Sequence, residues 1–230
     1  MLKQVLLFVV SACFYGVTFS QDNSNPFMAD ADGRPLYQKT EYIAEGSPYF
    51  YDEYCMAEVV AMNGKVYPNI KVKVNLIEKL ILYMADDGTE MIAAILIHKI
   101  KFTDFLFDGV AHAATTLQSI NGALNSADGQ ICQVLEEGAA RLLTQITVTY
   151  SDKKGYGEAT ITRAFSQKKI YFAMVPEEPV VMKRIEKNKA SVEALFGNKK
   201  ELIHSYIEKE KLGCRSEEDL IKIFRYYNSN

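Results

Sequence analysis

The chain has 230 residues, 48% of them hydrophobic and 24% charged, a balance that sustains a folded core and excludes a disordered or fibrous chain. Lys and Arg number 26 against 29 Asp and Glu, so the formal net charge is -3. Nothing in that balance points toward nucleic acid, whose readers usually carry a concentrated basic face, and none is expected as a partner.

Residues 1–20 read as a cleavable signal peptide. Lys3 precedes the apolar run Val5 to Val10, which continues weakly to Phe19. Ser11, Tyr15, Gly16 and Thr18 dilute the segment and no basic stop-transfer cluster follows, so no transmembrane span is expected. The small residues Thr18 and Ser20 place cleavage between Ser20 and Gln21, giving a secreted or periplasmic product. The alternative is a lipobox, Val10-Ser11-Ala12-Cys13, in which Cys13 is acylated and the product is a membrane-anchored lipoprotein. It is disfavoured because Phe14, Tyr15, Val17 and Phe19 stay apolar where a tether is usually polar.

Residues 21–53 read as a polar N-terminal arm, broken by Asn25-Pro26, Asp32-Gly33-Arg34-Pro35 and Gly46-Ser47-Pro48. Asp30-Ala31-Asp32-Gly33 looks like the middle of a calcium loop, but Met28 stands where the first acidic ligand belongs and no Glu closes the shell. No metal site is expected there. At the end of the arm Tyr49, Phe50, Tyr51 and Tyr54 form an aromatic knot with Asp52 and Glu53 as acceptors. Tyr49, Tyr51 and Tyr54 are the candidate binding residues, for a sugar or a peptide. Core packing is the simpler reading, since aromatics at a strand start bury one face and the chain has no Trp.

Residues 54–182 read as a β-rich domain. Cys55 to Met62 leads into Asn63-Gly64, the cue for a type I′ hairpin turn. Ile70, Val72, Val74 and Leu76 alternate with Lys71, Lys73 and Asn75, a period of two that sets an apolar face against a polar one. Leu80 to Met84, the turn Asp86-Asp87-Gly88 and Glu90 to Ile97 repeat the grammar, the last run extending toward Phe102. Between 108 and 128 a small, polar stretch reads as an inserted loop or short helix. Gln130 to Leu135 and Ala140 to Tyr150 flank Glu137-Gly138, and Ala159 to Phe165 with Ile170 to Val175 form a further pair before the prolines at 176 and 179. Sequential hairpins make a largely antiparallel meander.

Residues 183–230 change to helical period and pack on the β domain. Ser191 to Phe196 ends at Gly197, and Lys199 to Lys211 carries Leu202, Ile203, Tyr206 and Ile207 on one face. Ser216 with Asp219 matches a capping pattern, after which Leu220, Ile223, Phe224 and Tyr227 form an apolar stripe. The expected fold is α+β, mostly β, an antiparallel sheet followed by two or three short helices.

The segment Gly46 to Phe50, the strand Val72 to Leu76, and above all Leu195 to Leu202 and Glu217 to Asn228 resemble a group of exported, β-rich proteins of Gram-negative bacteria that has no assigned activity. The resemblance covers about half of the mature chain. It implies export and this architecture, and it implies no catalytic residue.

Chemistry is sparse. His98, His112 and His204 stand in no zinc-binding spacing, and no nucleophile elbow, phosphate-cradling loop or dinucleotide fingerprint occurs, so no cofactor is expected. Cys55, Cys132 and Cys214 remain after cleavage; one disulfide at most can form among them, and sequence does not choose the pair. The expected function is a non-catalytic binding or envelope-associated role outside the cytoplasm, with an envelope protein as the partner. The rival is a hydrolase whose carboxylates, for instance Asp86, Asp87 and Glu90, meet in a cleft. A third reading docks a partner on the stripe from Leu220 to Tyr227, against the simpler reading of that stripe as core packing on the sheet or the preceding helix.

Overall fold

The computed structural model describes residues 34–35, 42–107, 109–156, 160–176 and 182–230. The expected signal peptide, its expected cut between Ser20 and Gln21, Cys13 and the Asp30 to Gly33 motif lie outside them.

Fourteen strands are present among the described residues. They are β1 (Arg34–Pro35), β2 (Tyr42–Glu45), β3 (Cys55–Ala61), β4 (Val66–Asn75), β5 (Leu80–Met84), β6 (Glu90–Ile92) and β7 (Ile97–Phe102), then β8 (Phe105–Phe107), β9 (Val110–His112), β10 (Thr115–Ser119), β11 (Ile131–Glu136), β12 (Arg141–Lys153), β13 (Ile161–Met174) and β14 (Met182–Arg184). Three helices follow: α1 (Lys189–Ala194), α2 (Lys200–Lys209) and α3 (Glu217–Ser229). Twelve strands form one sheet in the order β1-β6-β5-β4-β3-β7-β10-β11-β12-β13-β14, with β2 pairing β13. All these pairings are antiparallel except the parallel one between β2 and β13. The fold is α+β and mostly β, as its alternation requires.

Turn chemistry sets the hairpins. The loop after β3 is not the type I′ turn that Asn63-Gly64 implies, because only Gly64 has positive φ, at +84°. Gly64 N–H donates to the Ala61 carbonyl and Ala61 N–H to that of Lys65, a type I turn closed by a glycine bulge. Ala85 to Thr89 repeats these bonds with Gly88 at +83°. On β4, the register shifts opposite Ala57 and Val59, and Pro68 with the positive-φ Asn69 makes the bulge. The bulge lets one strand run from Val66, four residues before the alternation becomes legible.

The sheet covers two cores. One gathers the inward residues of β3, β4, β5 and β7 with Leu117, Leu124, Ile146 and Val148. The other seats the helices on the starts of β12 and the end of β13 through Leu142, Tyr171, Ala173, Phe196, Ile203 and Ile207. Ser216 caps α3 by accepting a hydrogen bond from Asp219 N–H. Leu220, Ile223 and Phe224 are fully buried and Tyr227 nearly so. The stripe is therefore core, as its simpler reading has it, and the docking reading is corrected.

Three other expectations change. The stretch 108–128 is neither a helix nor an unstructured loop, for it holds β9 and β10 before turning back; cross-strand pairing with β8, β7 and β11 overrides its small-residue composition. The two runs after residue 159 are one strand, β13, paired with β12 over thirteen residues. Its polar centre, Ser166 to Lys169, reads as a turn because that part of the ribbon is exposed to water. The arm also ends earlier than residue 53, since Tyr42 to Glu45 joins the sheet and Phe50 N–H donates to the Val74 carbonyl.

Candidate functional site

The segment 42–54 crosses from β13 to β4 and divides two concavities. Pro48 accepts from Leu76 N–H through its carbonyl, and Tyr49 bridges Asn75. Gly46 sits at φ +76°, where a Cβ would lie 3.2 Å from the Phe165 carbonyl oxygen, so the crossing depends on glycine.

On one side lies a cleft of about 610 Å³, lined by Tyr42, Tyr49, Tyr150 and Phe165 with Asp52, Lys73, Asn75, Glu78 and Arg163 among its polar groups. The far wall follows from strand register. Along β12 the inward positions run Ile146, Val148, Tyr150, Asp152, so that core aliphatics give way to an aromatic and then a charge. Tyr150 stands directly opposite Phe165, and Asp152 opposite Arg163. Arg163 grips Asp152 through two hydrogen bonds of 2.7 and 2.8 Å. Its guanidinium lies between the rings of Tyr42 and Tyr150, 4.3 and 4.0 Å from their centres. The hydrogen bonds from Arg163 hold the Asp152 carboxyl below its usual range, and Asp152 in turn raises the guanidinium. The wall is therefore locked and its charge internally neutralised.

The near wall is built on Lys73. Its ammonium lies 4.2 Å from the Tyr49 ring centre and 5.8 Å from that of Tyr54. Among the described residues no carboxylate forms an ion pair with it. Burial raises the Tyr49 hydroxyl, with the Glu78 charge adding to it. Burial, then the Glu90 charge, raises that of Tyr54 more strongly. The Tyr54 oxygen is shielded from water and makes no hydrogen bond of ordinary geometry. The Cys55 thiol behind them is pushed up to about 11 by burial and Glu53, with Lys73 opposing. At the cleft floor the buried Asn75 accepts from Ile77 and Glu78 N–H, and its amide reaches the Glu78 carboxylate at 3.4 Å.

On the other side of the segment Tyr51 packs away from the cleft, against Phe50, Phe102, Phe105 and His112. Phe50 and Tyr51 are partly buried, packed against the core on one side and lining a second pocket on the other, while Tyr49 and Tyr54 flank Lys73. The structure thus separates the three candidate tyrosines, placing two beside Lys73 and one in a second pocket. Tyr42, Lys73, Tyr150, Arg163 and Phe165 escaped sequence reasoning. The signal was present on β12, where the inward aliphatics end at an aromatic.

Asp86, Asp87 and Glu90 do not meet in a cleft. Glu90 opens β6 and its charge acts on Tyr54 and Tyr49, whereas Asp86 and Asp87 stand on the exposed turn between β5 and β6, where Thr89 N–H donates to Asp87 and lowers its pKa. Such a carboxylate closes a turn. His204 pairs with Glu193 at 2.9 Å, His112 stacks on Phe105, and no metal-holding cluster occurs among the described residues. Cys55, Cys132 and Cys214 are each buried and unbridged. No helix among the described residues is long and apolar enough to cross a membrane.

Comparison with known proteins finds no matching family model, no matching curated sequence and no matching solved structure.

Proposed function

We propose that this protein is exported and acts outside the cytoplasm as a non-catalytic binding module, and that the cleft between the 42–54 segment and the β12–β13 ribbon takes a saccharide. The observation that carries the reading is the pairing of ring walls with both donors and acceptors. Tyr49, Tyr150 and Phe165 offer flat apolar surface, while Lys73, Asn75, Glu78 and Asp52 offer polar contacts around it. A sugar ring has that same division, with apolar C–H faces and a rim of hydroxyls that donate and accept. Lys73 is held by ring faces and keeps its N–H donors for a ligand. The locked Tyr42–Arg163–Tyr150 stack supports preorganisation, which lowers the ordering cost of binding.

A specific observation favours a second reading, glycoside hydrolysis: Asp52 and Glu78 line the same cleft. One experiment separates the two. The secreted protein is titrated calorimetrically with a panel of neutral and acidic oligosaccharides, and the same mixtures are followed for released reducing ends. Binding without turnover that Tyr49→Ala abolishes supports the module. Turnover that disappears in both Asp52→Asn and Glu78→Gln replaces it with the hydrolase, and absence of both binding and turnover overturns the saccharide reading.

A further inference from the structure

The second pocket, of about 290 Å³, is lined by Phe50, Tyr51, Phe105, Phe107 and His112 with Asp52 and Glu53. Four benzenoid rings and two exposed carboxylates converge there, and neither Lys nor Arg lines it. The first cleft is different, since Lys73 and Arg163 line it. Ring faces carry negative charge density that attracts cations, and carboxylates at the mouth add to that field.

The β8–β9 hairpin extends the pocket. Phe105 stands opposite His112 and Phe107 opposite Val110, so all four side chains share one face. The inner pair is packed, with rings 4.6 Å apart and nearly parallel, and both rings contact Tyr51 edge-on. The outer pair is uncovered: Phe107 is 37% exposed and Val110 57%. The acidic aromatic pocket therefore adjoins an apolar ledge formed by Phe107 and Val110.

We propose that this pocket receives an Arg or Lys side chain of a partner polypeptide, with a neighbouring apolar residue of that partner lying on the Phe107–Val110 ledge. Charge complementarity selects the cation: Asp52 and Glu53 meet it at the mouth while Tyr51, Phe105 and Phe107 surround its stem. The ledge selects a polypeptide over a free ammonium compound.

The test uses short peptides as probes. The full secreted chain, labelled for amide and aromatic NMR, is titrated with acetyl-Leu-Arg-Leu-amide and with the same peptide carrying citrulline, the neutral isostere of arginine. The arginine peptide should shift Tyr51, His112 and Val110, and the citrulline peptide should bind at least tenfold more weakly. Glu53→Gln, an exposed change outside the first cleft, should weaken the arginine peptide at least threefold with an unchanged melting temperature. Val110→Ser should weaken both peptides. Equal binding of the arginine and citrulline peptides, shifts that map elsewhere, or no shift at all would overturn the proposal. Tetramethylammonium binding as tightly as the peptide would overturn its polypeptide part. Asp52 lines both concavities but Glu53 only this one, so saccharide titration in Glu53→Gln reports separately on the first cleft and distinguishes failure of one reading from failure of the other.

Discussion

The ammonium of Lys73 lies over the ring of Tyr49, 4.2 Å from its centre. The contact joins β4 to the crossing segment and aims a cation into the cleft without neutralising it. Replacing Lys73 by Met keeps the stem and removes the charge. Half-exposed cation–π contacts are worth about 0.5–1 kcal/mol each, so urea unfolding should show a loss of about 1 kcal/mol. Saccharide binding should fall at least tenfold, because the N–H donors are lost with the charge. A variant that binds as the parent does would remove Lys73 from the site.

Two glycines should respond differently to the same substitution. Gly64 has positive φ and open space around it, so Gly64→Ala should cost about 1 kcal/mol of backbone strain. At Gly129 a Cβ would lie 1.7 Å from the Ala123 carbonyl oxygen, a clash with backbone that cannot swing aside. Gly129→Ala should cost more than about 3 kcal/mol, and chemical denaturation of the pair checks the order. Equal losses would mean that the 121–130 loop is placed differently.

Asn228, near the end of the chain, clamps the β11–β12 turn. Its side-chain oxygen accepts from Ala140 N–H, and its amide donates to the Glu137 and Ala140 carbonyls. Asn228→Ala should cost about 1–3 kcal/mol by leaving those backbone groups without partners. Truncation before Ser216 should do far more. It removes Leu220, Ile223 and Phe224, each worth about 2–5 kcal/mol in a core, against a total stability of about 5–15 kcal/mol. The shortened chain should show no cooperative melt by circular dichroism; a sharp melt would mean that α3 is dispensable.

His204 links α2 to α1 through Glu193. The hydrogen bond with Glu193, then its charge, raises the imidazole pKa above the ordinary 6.5. A raised folded-state pKa stabilises fully below the unfolded value and is lost as pH rises through the folded one. The melting-temperature difference between the parent and His204→Gln should therefore be larger just below pH 6.5 than above it, shrinking as pH rises. A difference that grows with pH would reverse the assignment.

Much of the fold was legible because strand alternation and turn residues act locally. The face of Val72 and Val74, the Ser216 cap and the α3 stripe follow from spacing alone. The placing of β2 was not, because it pairs with β13 across more than a hundred residues and no periodicity encodes that partner. The cleft suffered for the same reason: Tyr49 and Tyr54 were visible as an aromatic knot, whereas Tyr150, Arg163 and Phe165 become walls only when β13 brings them opposite the crossing segment. The split of β13 at Ser166 to Lys169 shows the converse failure, in which local polarity reads as a break although cross-strand pairing continues through it.

The central claim is that the cleft, rather than the exposed turn or the helices, holds the ligand. It is tested most directly by amide and aromatic chemical-shift mapping of the protein titrated with the tightest oligosaccharide of the panel. The account predicts shifts concentrated at Tyr49, Lys73, Asn75, Tyr150 and Phe165 that vanish in Tyr49→Ala. Shifts centred on Asp86 to Glu90 or on α3, or a response that survives Tyr49→Ala, would contradict it.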